Sequence, residues 1–141
     1  MRSRFSGETM PRISLAFFTV AALCGLTGMG WGAFMGATQH FELAPAHAHL
    51  NLLGWVSLSI MGGFYALVGG PPNNLLGWVN FTLSAIGVIV LTPMLALLLA
   101  GNEKTIGPMM PFPEITVILG MLCFIANVLL AWRKPAGALA A

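Results

Sequence analysis

The stretch LAPAHAHLNLLGWVSLSIMGGFYALVGGPPNNLLGWVNFTLSAIGVIVLTPMLALLLAGN, from Leu43 to Asn102, contains no Asp, Glu, Lys or Arg. A hydrocarbon layer about 30 Å thick takes about 20 apolar residues per spanning helix, so this stretch holds two spans. Gly69-Gly70-Pro71-Pro72-Asn73-Asn74 divides it with turn chemistry that neither helix could absorb. The expected helices are 45–68 and 75–100. Outward from this centre lie two more uncharged runs, Ile13 to Phe41 and Ile115 to Trp132. They predict helices at about 13–37 and 113–132. The fold class expected is all-α: one four-helix transmembrane domain over residues 1–141, with short loops.

Composition agrees. Of 141 residues, 57% are hydrophobic and 7% charged, against about a quarter charged in a soluble domain. A cytosolic enzyme and a disordered chain are excluded. The net charge is +2, and Arg2, Arg4, Arg12, Arg133 and Lys134 sit at the chain ends, leaving only Lys104 between them. No basic face exists to follow phosphates, so nucleic acid is not a partner. Cys24 and Cys123 lie singly in apolar runs and suit packing. The first run exceeds the roughly 7–15 residues of a signal-peptide core, so it is read as a retained helix despite Ala46-His47-Ala48. Basic residues at both ends of an even number of spans put both termini in the cytoplasm of a bacterial inner membrane. His40, Glu42, His47, His49, Glu103 and Glu114 then fall at the outer side. Trp31, Trp55, Trp78 and Trp132 are expected towards the interfaces. Gly28, Gly32 and Gly36, with Gly25 nearly in line, give the first helix a small-residue stripe for close helix contact, within the chain or between copies.

All three histidines occur within ten residues, His40-Phe41-Glu42-Leu43-Ala44-Pro45-Ala46-His47-Ala48-His49. Pro45 suits the first turn of the second helix, which places His47 and His49 just inside it. Two positions along a helix turn the chain by roughly 200°, so the two imidazoles address opposite sides. They would offer one ligand to each of two compartments. A single interfacial histidine would be read as solvated, and His40 is read so. An H-x-H pair beside an uncharged core is a candidate site, because ionisable groups inside a membrane are functional candidates by default. Asn51, one turn beyond His47, is placed to hydrogen-bond that histidine. Glu114, opening the fourth helix at the same depth, suits the helix N-terminus or a bond to a histidine.

His47-Ala48-His49-Leu50-Asn51-Leu52-Leu53-Gly54-Trp55, followed by Met61-Gly62-Gly63-Phe64-Tyr65, resembles subunit I of the haem-copper oxidase superfamily. The likeness is strongest to its cbb3-type and nitric-oxide-reductase-like members, and to short membrane proteins described as subunit I-like. It covers about twenty residues, mostly the second helix. In that family an H-x-H pair ligates two haems on opposite sides of one helix. The resemblance therefore implies haem b held by His47 and His49, with Asn51 and Glu114 near it, and electron transfer or redox or gas sensing near the outer face. Family members carry twelve helices in three arcs of four. One arc here implies a homotrimer, with His47 of one chain and His49 of the next on one iron, and a redox protein or quinone as partner.

The family's oxygen-reducing site needs three further histidines for copper and a nearby tyrosine. The third and fourth helices have no histidine, and Tyr65 lies about four turns below the pair. Oxidase and nitric-oxide reductase catalysis is therefore not carried over, and two axial histidines favour electron transfer. The alternative is copper or zinc binding or transport. In that reading the His pair acts with Met29, Met35, Met61, Met109 and Met110, since thioethers and imidazoles suit cuprous ion.

Overall fold

A computed structural model describes residues 9–133; Arg2, Arg4 and Lys134, which enter the orientation argument, lie outside the described residues. Among the described residues, four helices are long and apolar enough to cross a membrane. They are α1 (Arg12–Thr38), α2 (Ala44–Leu67), α3 (Asn74–Leu99) and α4 (Pro111–Trp132). The first three fall within a residue of the expected bounds. α4 begins two residues early, after a short helical turn, Glu103–Ile106, and a 3-10 turn, Gly107–Met109.

Each break has a local cause. α1 ends where Gln39 turns left-handed at φ 57°, its side-chain amide donating to the Gly36 carbonyl at 2.6 Å. α2 gives way to Gly69 and Gly70 at φ 72° and 117°, a region that favours glycine. The Asn73 side chain then caps α3 by accepting from the Leu76 backbone N–H at 3.0 Å.

α2 departs from the regular α-helix that its apolar pattern suggests. Ala44–His49 and Leu58–Leu67 are α-helical, but Leu50–Ser57 between them is a π-helix. Ser57 Oγ donates five residues back, to the Leu52 carbonyl, at 2.8 Å. π segments are rare, and they frequently occur at functional sites. This one starts at the residue after His49.

α1 and α2 pack closely because glycines remove side chains where they meet. A methyl group at Gly54 would lie 2.9 Å from Cys24 Sγ, and one at Gly62 would lie 2.8 Å from Phe17 Cβ. Below the histidine end, Ile13, Phe17 and Ala21 of α1 pack with Leu58, Met61 and Tyr65 of α2. Phe81 of α3 and Phe124 of α4 close that cluster with edge-on rings at 5.0 Å from Phe17 and 6.1 Å from Tyr65. A second cluster, Cys24, Leu50 and Val88, lies towards the histidine end.

Between the helices runs a buried polar clasp that the sequence reading did not single out. Tyr65 donates its hydroxyl to Asn80 Oδ1 at 2.9 Å, and Asn80 Nδ2 donates to the Gly120 carbonyl at 2.8 Å and to Ser84 Oγ at 3.2 Å. With water absent from the bilayer core, such groups must find partners inside the protein. Here they tie α2, α3 and α4 together.

Candidate functional site: the histidine pair

Pro45 stands in the first turn of α2, and its carbonyl decides the state of His49. His49 Nδ1 lies 2.7 Å from the Pro45 oxygen. A carbonyl only accepts, so Nδ1 carries the proton and donates it. In the neutral ring Nε2 is then left as an unprotonated acceptor. Fixing one ring nitrogen on a backbone carbonyl is how proteins orient histidine ligands. His49 is exposed, so the free nitrogen has a surface to address.

His47 is held differently. It is half-buried and faces α1, with the Trp31 ring edge-on at 6.3 Å. A methyl group at Gly32 would lie 3.0 Å from His47 Cε1, 3.5 Å from Nε2 and 3.8 Å from Nδ1. The edge that carries both ring nitrogens is therefore turned towards the α1 backbone. Asn51 Nδ2 donates to the His47 carbonyl at 2.9 Å and lies 3.3 and 3.4 Å from Nδ1 and Nε2. Asn51 thus meets His47, as its one-turn spacing predicts.

The glycine stripe on α1 matches the polar stripe on α2, one turn at a time. Gly32 receives His47, Gly28 receives Asn51 and Gly25 receives Trp55; a methyl group at Gly28 would collide with the Asn51 carboxamide. Three stripe glycines therefore serve packing within the chain, while Gly36 has open space beside it. Trp55 stands in the middle of α2 rather than towards an interface. Its position follows from docking on Gly25.

Among the described residues, no hydrogen bond joins Glu114 to either histidine, and Glu114 is exposed. No group of three or more His, Cys, Asp or Glu is gathered that could enclose a metal ion among those residues. His40 pairs with Glu42 at 3.3 Å, both exposed. The Glu42 carboxyl is held below the usual range by its own backbone N–H and by His40. The methionines are dispersed. Met61 sits in the polar clasp, with Sδ 3.6 Å from Asn80 Nδ2, and Met35 and Met110 are buried. Met109 lines an apolar groove of about 350 Å3 between α3 and α4 with Met94, Phe112 and Thr116.

Compared with protein-family models, with curated proteins and with solved structures, the chain matches none.

Proposed function

We propose that this chain is a membrane b-type haem protein of the outer face of a bacterial inner membrane, transferring electrons or sensing a redox partner or gas. The observation that carries the reading is His49. Its Nδ1–H is donated to the Pro45 carbonyl, which leaves Nε2 as an acceptor on an exposed residue at the helix start. His47, two residues away, faces the other side of α2 and supplies the second ligand after its ring turns from α1. Asn51 orients His47; Glu114, exposed at the first turn of α4, is placed to meet a partner or the edge of the group. A bound haem supplies a one-electron couple, and its axial ligands set that potential.

An exposed ligand on one face and a second on the opposite face suit a group shared between copies. The reading therefore includes a homotrimer in which three four-helix arcs make a twelve-helix ring, with His47 and His49 of adjacent chains on one iron. Both termini lie in the cytoplasm, and a quinone or redox protein delivers or accepts the electron.

The test is haem content per chain after purification from haem-supplied membranes. The reading expects stoichiometric haem in the wild type, loss of most of it in His49→Ala, and retention with altered ligation in His47→Ala. A colourless protein that keeps copper or zinc contradicts it. So does haem content unchanged by both substitutions.

A further inference from the structure

His47 and His49 differ in a way their spacing does not reveal. His49 presents a bare Nε2, whereas both nitrogens of His47 are turned into the seam between α1 and α2. Gly32 leaves room for the ring edge, Trp31 borders it, and the Asn51 amide nitrogen lies against the ring, 3.3 and 3.4 Å from its two nitrogens. Gly28 in turn makes room for Asn51.

We propose that Gly32 and Asn51 park His47, so that it is an exchangeable ligand that binds only after its ring swings out, while His49 is the permanent one. Applied to haem, this rests on the function proposed above; the parked ring itself is a property of the protein alone. A ligand that is available only part of the time binds with an affinity reduced by that fraction. The two histidines thus bind in order, His49 first and His47 conditionally. A group held by His49 would then gain His47 as a ligand only while that ring is out of the seam. Gly32 and Asn51 are positioning residues: Asn51 touches His47, Gly32 leaves the space its ring faces, and both act through it.

The experiment uses full-length protein in detergent, stripped of haem, and reads carbethoxylation of each histidine by diethyl pyrocarbonate with mass spectrometry. The reagent attacks an unprotonated, accessible ring nitrogen. His49 and the solvated His40 are expected to react readily, and His47 at least about tenfold more slowly, as a ring parked nine-tenths of the time would. Asn51→Ala removes the carboxamide that lies against the ring, and Gly32→Ala presses a methyl group onto its nitrogen edge. Either is expected to bring His47 to within about threefold of His49, since the parked fraction then falls to a half or so. Release in either variant supports the proposal. His47 reacting as fast as His49 in the wild type overturns it, as does slow reaction in both variants. No haem is needed, so failure here leaves the haem reading standing. A colourless native protein ends that reading without touching the labelling result.

Discussion

Gly28 and Asn51 show how much one hydrogen atom in place of a methyl group can matter. An alanine at position 28 would drive its Cβ into the Asn51 carboxamide, which must then swing away from the His47 carbonyl it donates to. Overpacking of this kind costs about 1–3 kcal/mol. Gly28→Ala is therefore expected to lower the thermal midpoint in detergent, while Gly36→Ala, which meets nothing within 4 Å, should leave it unchanged. Asn80→Ala would leave the buried Tyr65 hydroxyl without its acceptor and remove the extra donor to the Gly120 carbonyl. Leaving buried polar groups unpaired costs about 1–3 kcal/mol, and equal midpoints for wild type and variant would contradict the clasp. Spacing alone predicts that His47 and His49 do not share a face; in the structure His47 lies against α1 and His49 is exposed. The seat of His47 on Gly32 was not readable from the sequence, because it depends on which turn of α1 lies opposite. Asn80 and Ser84 were unreadable for the same reason, their partners lying on α2 and α4.

At the scale of elements, the spans were legible because uncharged length and Gly-Pro-Asn turns leave little choice of where a helix can cross. The π segment of α2 was not, since Leu50–Ser57 has the same apolar character whether its ladder closes four or five residues back. Its consequence is measurable. Amide exchange across Leu50–Ser57 is expected to be faster than across Leu58–Leu67, because a π segment is a rare, less favoured ladder within an α-helix and opens locally. Uniform protection along α2 would argue against it. The start of α3 offers a second test: Asn73→Ala removes the cap on the Leu76 N–H and is expected to destabilise by about 1 kcal/mol. An unchanged denaturation midpoint would show the cap to be idle. Pro93 within α3 removes one N–H from that ladder, and lipid offers no replacement donor.

In the whole molecule, four alternating helices bring the ends of α1 and α3 and the starts of α2 and α4 to one side. That is where the histidines, Glu103, Lys104 and Glu114 gather. This segregation was foreseeable from an even number of spans; the order of packing was not. α4 is the least covered of the four, with 17% of its most apolar window buried against 39% for α1. For the trimer proposed here, native mass spectrometry from detergent is expected to give three chains of 14.9 kDa, and a strict monomer that retains full haem would contradict shared ligation.

The absorption spectrum of the purified protein, reduced minus oxidised, bears most directly on the histidine pair as a haem site. A sharp Soret shift with b-type visible bands, lost in His49→Ala, is the expected result. A featureless difference spectrum from haem-replete membranes would contradict it.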